Sequence, residues 1–251
     1  LGCGSSMGVP RSDGYFGNCD PKNKKNYRTR CSALIKTSEE NILIDTSPDL
    51  RQQLLRHRVK KINRVLYSHM HGDQTHGIND LRSFYIQKKK QINVFADPKT
   101  YKYLKKNFSY CFDNYIKEYP PTLKLNNLNK NLFVKNLNKN IKINPIKVQH
   151  GKVYSICYII DKKLAYISDV SEIFKKDFKY FKNLKYLIID CLWYRNHPSH
   201  FNLEKSLEMI KIFSPKKAIL TNLHTDIDYN KIKKILPRNV IPAYDGLSVN
   251  L

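Results

Sequence analysis

The chain has 251 residues, of which 41% are hydrophobic and 12% aromatic. This is enough for one sizeable core or two small ones, and it excludes a disordered chain. Lys and Arg number 45 against 21 Asp and Glu, so the net charge of +24 favours anionic substrates, nucleic acid or an acidic surface as partners. We find no run of about 18 apolar residues and no apolar leader, so we expect no membrane-spanning helix and a cytoplasmic protein.

Short runs rich in Val, Ile, Leu and Tyr predict strands, several of them fully buried. The predicted strands are residues 31–37, 41–45, 64–68, 92–96, 141–148, 154–160, 164–168, 186–190, 218–222 and 240–244. Apolar residues at spacings of three and four predict helices between them. The predicted helices are residues 48–58, 77–88, 99–108, 170–181, 202–213 and 229–235. This alternation predicts an α/β or α+β fold, and because we see neither a repeat nor a linker, we expect a single domain over residues 1–251.

The cysteines are spaced too irregularly for a structural zinc site. The chain has 6 cysteines, none of them in a C-x-x-C pair, and most lie inside apolar runs. We therefore expect reduced thiols in the core.

A histidine cluster follows the predicted strand 64–68. His69 and His71 alternate, so their imidazoles can point the same way, and Asp73 supplies a carboxylate at a predicted helix start. Further candidates follow other strands, namely His150, Asp169 and His224. Imidazole nitrogen with carboxylate oxygen suits zinc, manganese or iron(II), so the pattern predicts a metal site.

With these residues the chain resembles the metallo-β-lactamase superfamily, whose fold is a four-layer αββα sandwich. More narrowly, it resembles the PhnP-like phosphodiesterase branch, which is related to ribonuclease Z. The motifs in this narrower resemblance are Gly2-Cys3-Gly4-Ser5-Ser6, Asp45-Thr46-Ser47-Pro48-Asp49, Gly77-Ile78-Asn79-Asp80-Leu81-Arg82, His197-Pro198-Ser199-His200-Phe201 and Pro242-Ala243-Tyr244-Asp245-Gly246.

The resemblance implies a centre of two ions, Zn²⁺ or Mn²⁺, with a bridging hydroxide that attacks phosphorus. It assigns three groups of ligands: His69, His71 and His150 for the first ion, Asp169 as the bridge, and Asp73 and His224 for the second ion. Asp73 would also orient the nucleophile, and Asp45 would hold a ligand imidazole.

Gln74 departs from the family pattern, which places a second-metal histidine there. An amide oxygen is a poorer donor than imidazole, so the second site should be weakened, richer in oxygen and shifted toward manganese. His76 is an alternative ligand on the same predicted helix, although contact with another side chain is its more ordinary use.

The resemblance also assigns His200 as the general acid that protonates the leaving group. The alternative for His200 is a contact at the start of the helix 202–213. Arg195 has the forked donors that phosphate oxygens fit, and His197 is either a substrate contact or a loop residue.

We therefore expect a metal-dependent hydrolase, specifically a phosphodiesterase for small cyclic or nucleotide-like diesters. Two alternatives stay open: a lactone or thioester hydrolase with the same fold, and a degenerate mononuclear or metal-free protein that binds nucleic acid. The expected partner is a small phosphodiester, with nucleic acid and a homodimer as further options and no membrane.

Overall fold

A computed structural model of the chain describes residues 1–114, 119–128, 131–137 and 139–251, and these form two compact units. The terminal unit consists of Leu1–Cys31 and Lys142–Leu251, and the central unit is Ser32–Ile141. The H-x-H-x-D motif and Gln74 belong to the central unit. The strand-end candidates from His150 onward belong to the terminal unit.

The central unit contains a sheet in which all neighbouring strands but one pair run parallel. Its strands are β1 (Ala33–Lys36), β2 (Asn41–Ile44), β3 (Arg64–Leu66), β4 (Ile92–Ala96) and β5 (Leu123–Asn127), and β6 (Leu132–Val134) follows in the same segment. The order is β1-β2-β3-β4-β5, with only β1 and β2 antiparallel. Because β2 and β3 are parallel, the residues that follow them lie at one sheet edge, where the H-x-H motif begins.

The helices of the central unit connect these strands. They are α1 (Leu50–Arg56), α2 (Gly72–Thr75), α3 (Arg82–Lys88) and α4 (Pro98–Asn107). At the start of α4, the Asp97 side chain accepts a hydrogen bond from the Thr100 backbone N–H at 3.0 Å, and Pro98 occupies the first turn. This combination of cap and proline is a strong signal for a helix start.

The terminal unit contains an antiparallel meander followed by parallel strands. Its elements are β7 (Ile141–His150), β8 (Val153–Ile160), β9 (Leu164–Ile167), β10 (Tyr186–Asp190), α5 (Leu203–Phe213), β11 (Lys217–Thr221), α6 (Tyr229–Ile235) and β12 (Val240–Pro242). The strand order is β12-β11-β10-β9-β8-β7, and β9 to β12 are parallel. The core includes Phe213 of α5, which stacks on Phe181 at 5.2 Å between ring centroids.

The predicted α/β class is confirmed, and each predicted strand has a counterpart. The strand β5 was missed because its Leu, Lys and Asn residues provide no clear apolar run, and β6 was missed because its apolar run, Leu-Phe-Val, has only 3 residues. The helix predicted over residues 170–181 is wrong, since only Lys175–Tyr180 is helical and it forms a 3-10 helix. The backbone N–H of Ser171 instead donates to the Gln149 carbonyl at 2.7 Å, which holds this segment in extended pairing.

The expectation of reduced core thiols is confirmed. All 6 cysteines are free and buried. Burial raises the pKa of Cys19 and of Cys111 to about 11, so both are thiols at neutral pH.

The helices within the described residues are not suited to cross a membrane. None of them combines the length and the apolar composition that a bilayer span requires.

Gly77 is required by a close approach of backbone within the central unit. A Cβ at this position would lie 2.0 Å from the Ser47 carbonyl oxygen. The Gly77 N–H donates to the Thr46 carbonyl at 2.9 Å, and the Thr46 N–H donates to the Gln74 carbonyl at 2.8 Å. Only glycine lets the segment after α2 reach the loop after β2.

We predict that Gly77→Ala lowers the free energy of unfolding by about 3 kcal/mol, the upper end for an overpacked site, because the added methyl overlaps backbone. Denaturant unfolding measures the loss. Gly72→Ala is the matched control, since its Cβ would meet only the movable ring of His76 at 3.0 Å. Equal losses for the two variants would contradict this explanation.

Candidate metal centre

The loop after β3 brings His69 and His71 together, as their alternation predicts. His69 Nε2 lies 2.9 Å from His71 Nδ1, and the two rings meet edge to face. The Ser68 hydroxyl lies 2.9 Å from His69 Nδ1, so it orients the buried ring of His69. Two imidazole nitrogens that converge in this way suit a shared cation.

Asp45 holds the backbone of this loop. Its carboxylate accepts a hydrogen bond from the Ser68 N–H at 2.7 Å, and the residue is fully buried with a φ of 61°. Aspartate tolerates this left-handed conformation better than most residues, because its short side chain can form local hydrogen bonds. Asp45 therefore acts on the ligand loop through Ser68.

Gln74 acts on Asp73 within α2. Its side-chain amide donates to Asp73 Oδ2 at 3.1 Å, and Gln74 is fully buried. The amide thus holds the neighbouring carboxylate. The contact engages the amide nitrogen and not the amide oxygen, so the weakened second metal site stays a prediction from the sequence.

His76 contacts aromatic side chains. Its Nε2 lies 3.0 Å from the Tyr103 hydroxyl, and its ring packs edge to face on Phe108. These contacts favour the expectation that His76 packs against other side chains, and not the alternative that it ligates a metal in place of Gln74.

In the terminal unit, His150, Asp169 and His200 form a compact donor group. Each offers one ligand atom, and these atoms all lie within 4.8 Å of one another. His150 ends β7, Asp169 follows β9, and His200 precedes α5, so three separate elements supply the group. The rings of His150 and His200 lie edge to face at 4.7 Å between centroids.

The tautomer of His150 fits metal binding. Its Nδ1 lies 2.6 Å from the Ser199 carbonyl oxygen, and because a carbonyl only accepts, Nδ1 must be the donor. The lone pair of the neutral ring is then on Nε2, the usual arrangement in ligating histidines. With the carboxylate of Asp169 beside it, this donor set fits zinc or manganese.

Asp190 is a site residue that the sequence reasoning missed. Its Oδ2 lies 2.8 Å from His200 Nδ1 and also accepts the Val170 N–H at 3.0 Å. Its Oδ1 accepts from the Asn222 side chain at 3.1 Å. Burial raises the pKa of Asp190, while the adjacent His200 lowers it. The sequence did contain one indication of this role. Asp190 is the last residue of a strand, and the predicted ligands likewise lie at or just after the ends of strands.

His224 lies beside Trp193 and outside this donor group of the terminal unit. The two rings are 5.0 Å apart at 33°, and the Asp226 N–H donates to His224 Nδ1 at 3.3 Å. Burial lowers the pKa of His224, the charge of Asp226 raises it, and that of Arg11 lowers it. Its assignment to a second ion stays a prediction from the motif.

The two predicted substrate contacts have different surroundings. Arg195 lies over the Trp193 ring, with Cζ 5.5 Å from the centroid. His197 accepts a hydrogen bond from the Ser199 N–H at 3.3 Å, and its ring is 5.1 Å from that of His200. Burial, and then the neighbouring His200, lower the pKa of His197. His197 is thus held within its loop, whereas Arg195 is an exposed residue.

The comparison with known families agrees with the donor pattern. Residues 40–222 match the family described as the beta-lactamase superfamily domain. Among curated proteins, the chain is 30% identical over 250 residues to an octanoyltransferase of Porphyromonas gingivalis. The match covers 98% of this chain and 50% of the relative, so the chain spans about half the length of that protein.

Solved structures share the fold. A diphosphatase of the PhnP family superposes with a TM-score of 0.86 and 27% identity, over 98% of this chain and 93% of that one. Zinc-bound PqqB of Methylobacterium extorquens superposes with a TM-score of 0.78 and 16% identity, over 100% of this chain and 98% of that one. The second likeness is one of fold alone.

We predict that Asp169→Asn weakens Zn²⁺ binding by more than about 100-fold, because it removes a charged oxygen from the donor group. Competition with a chromophoric chelator measures the affinity. Asp177→Asn, the same change in the nearby 3-10 helix, should leave it unchanged. Wild-type affinity in the Asp169 variant would remove this residue from the ligand set.

Proposed function

The chain belongs to the β-lactamase superfamily, and from this membership we propose that it is a metal-dependent hydrolase that cleaves phosphodiesters. The main supporting observation is that the candidate ligands His150 and Asp169 lie together with His200, the residue assigned as proton donor, with one donor atom of each within 4.8 Å of the others. The net charge of +24 favours an anionic substrate. The likeness to a PhnP-family diphosphatase favours cleavage at phosphorus.

The family motif assigns the metal ligands in this proposal. His69, His71 and His150 would hold a first Zn²⁺ or Mn²⁺, and Asp169 would face both sites. A second ion would be held by Asp73 and His224, more weakly because Gln74 replaces a histidine. Bound divalent ions supply an activated water and polarise a phosphoryl oxygen.

His200 is the proton donor to the leaving alkoxide in this mechanism. The carboxylate of Asp190 lies 2.8 Å from His200 Nδ1, so it holds the proton on that nitrogen and fixes the ring. When the ring is protonated on both nitrogens, Nε2 can donate to the departing oxygen. Asp190 is a positioning residue because it acts through His200.

Asp73 orients the attacking water. The amide of Gln74 restrains its carboxylate through the contact at 3.1 Å, so the direction in which Asp73 accepts a proton is set before substrate binds. In this proposal Gln74 positions the Asp73 carboxylate, a role that does not require Gln74 itself to ligate a metal.

Arg195 and His197 are the proposed substrate contacts. Arg195 has a planar fork of donors suited to phosphate, and His197 adjoins the ring of His200. The substrate class is a small cyclic or nucleotide-like diester, with nucleic acid as the larger alternative. Cytoplasmic location and a homodimer stay predictions from the sequence.

A second candidate function is hydrolysis of an acyl ester or thioester. The observation that favours it is the match to an octanoyltransferase, 30% identical over 98% of this chain. This support is weaker, since the chain spans only about half of that protein. The same metal-binding residues would serve an acyl substrate.

We predict that the protein loaded with Zn²⁺ or Mn²⁺ hydrolyses bis(4-nitrophenyl) phosphate. His69→Ala and Asp169→Asn should each lower kcat/KM by about 1,000-fold or more, because binding of the ion fails. Release of nitrophenol measures the rate, and Asp177→Asn serves as the control. If the protein cleaves octanoyl-coenzyme A and leaves the diester intact, the phosphodiesterase proposal is wrong and the acyl alternative is supported.

We predict that His200→Ala lowers the rate most for substrates with poor leaving groups. On thymidylyl thymidine, which loses an alkoxide, kcat should fall by about 100-fold or more, and on the 4-nitrophenyl ester of thymidine 5′-phosphate by less than about tenfold. Asp190→Asn should show the same selectivity to a smaller degree. Equal losses on both substrates would exclude proton donation by His200.

A further inference from the structure

An aromatic cluster, made of His76, Tyr103, Phe108 and Tyr110, lies in the central unit after the H-x-H-x-D motif. The Phe108 ring packs edge to face on His76, with centroids 5.6 Å apart, and on Tyr103, with centroids 6.3 Å apart. The Tyr103 hydroxyl lies 3.0 Å from His76 Nε2. Edge-to-face pairs hold rings in preferred orientations, so these three rings form one group.

Tyr110 extends the aromatic cluster along the same stretch of chain. Its hydroxyl donates to Asn79 Oδ1 at 2.5 Å, and Cys111 Sγ lies 3.8 Å from the same oxygen. Since Phe108 contacts His76, residues 108–111 lie along residues 76–79 through contacts at both ends. The hydrogen bond to Asn79 restrains the Tyr110 ring, although 53% of Tyr110 is exposed.

The aromatic cluster begins directly beside the metal-binding loop. The His76 N–H donates to the Gly72 carbonyl at 3.0 Å, one helical turn earlier. A Cβ on Gly72 would lie 3.0 Å from His76 Cε1, so the imidazole packs on the backbone between His71 and Asp73. Two of the proposed metal ligands therefore adjoin the rings within one unit.

The chemistry of the aromatic cluster suits a flat ring with polar edges. His76 and Tyr110 are exposed, as is Asn79, whereas Tyr103 and Phe108 are half-buried beneath them. Nucleobases stack on such rings and present hydrogen-bonding atoms at their edges. The imidazole, the phenol hydroxyls and the Asn79 amide are polar partners for those edges. An acyl chain would cover the same polar groups without hydrogen-bonding them, which is unfavourable.

We propose that the aromatic cluster is a subsite for a nucleobase of the substrate, so that nucleoside phosphodiesters are preferred over diesters without a base. This inference rests on the proposed function, in which the metal-binding loop engages the phosphate that reacts. The base stacks on the exposed rings of His76 and Tyr110, and Asn79 keeps Tyr110 oriented. Because every base has a π face, the subsite selects for the presence of a base and tolerates its identity.

Two substrates that differ only in the base measure this preference. One is the 4-nitrophenyl ester of thymidine 5′-phosphate, and the other is the same ester of 1,2-dideoxyribose 5-phosphate, which has hydrogen in place of thymine. They share the phosphate, the charge and the leaving group, so any difference in rate comes from the base. The metal-loaded protein should cleave the thymidine ester with a kcat/KM at least about tenfold higher, mainly through a lower KM.

The variants remove one ring at a time. Tyr110→Ala and His76→Ala should each lower kcat/KM about tenfold on the thymidine ester and less than about twofold on the ester without a base. Tyr110→Phe keeps the ring and loses only the hydrogen bond to Asn79, so its loss on the thymidine ester should stay below about threefold.

Phe133→Ala is the matched control, because it also removes an exposed ring of the central unit. The Phe133 carbonyl accepts a hydrogen bond from Arg64 at 3.0 Å, and Arg64 begins β3, whereas the metal-binding loop follows the end of that strand. This variant should cleave both esters at the wild-type rate.

Equal losses on both esters in the Tyr110 and His76 variants, or no loss on the thymidine ester, would overturn the subsite. Calorimetric titration with thymidine 5′-phosphate and with 1,2-dideoxyribose 5-phosphate separates this result from the proposed function, since it needs no turnover. If the protein cleaves neither ester but prefers thymidine 5′-phosphate, and Tyr110→Ala abolishes the preference, the subsite is supported and the hydrolase rejected. If both esters are cleaved at equal kcat/KM and the variants change nothing, the hydrolase is supported and the subsite rejected.

Discussion

The contact between Asp190 and His200 is the interaction on which the donor group of the terminal unit depends. A fully buried carboxylate is costly unless it is hydrogen-bonded, and Asp190 is bonded by the Val170 N–H, the Asn222 amide and His200. Val170 lies after β9, Asn222 lies after β11, and His200 lies before α5. One carboxylate thus joins the three segments that present Asp169, His224 and His200.

The central unit repeats this arrangement with another buried carboxylate. Asp45 follows β2 and binds the Ser68 N–H after the parallel strand β3, so the loop of His69 and His71 begins from a restrained backbone. Gly77 then allows the next turn to approach the loop after β2. In both units, an aspartate at the end of a strand restrains a neighbouring loop, and the candidate ligands lie on those loops.

Gln74 and the stacking of Arg195 on Trp193 are two features of the chain that the metal motif does not include. In α2, an amide replaces an expected imidazole and restrains Asp73 instead. Around His224, Trp193 and Asp226 support a guanidinium that the metal motif does not require. Both features lie on loops or short helices and not on a strand of either sheet.

The sequence by itself determined most strands, the reduced thiols and the pairing of His69 with His71, because these follow from local apolar runs and from the alternation of side chains along an extended chain. Tertiary structure decided the rest. The segment before the 3-10 helix Lys175–Tyr180 is extended since Ser171 and Glu172 pair with Gln149, about twenty residues away in the chain. Asp190 and Trp193 gain their roles only when parallel strands bring His200 and His224 beside them. Hydrogen bonds and stacking between distant residues leave no periodic signal, so no local pattern could reveal them.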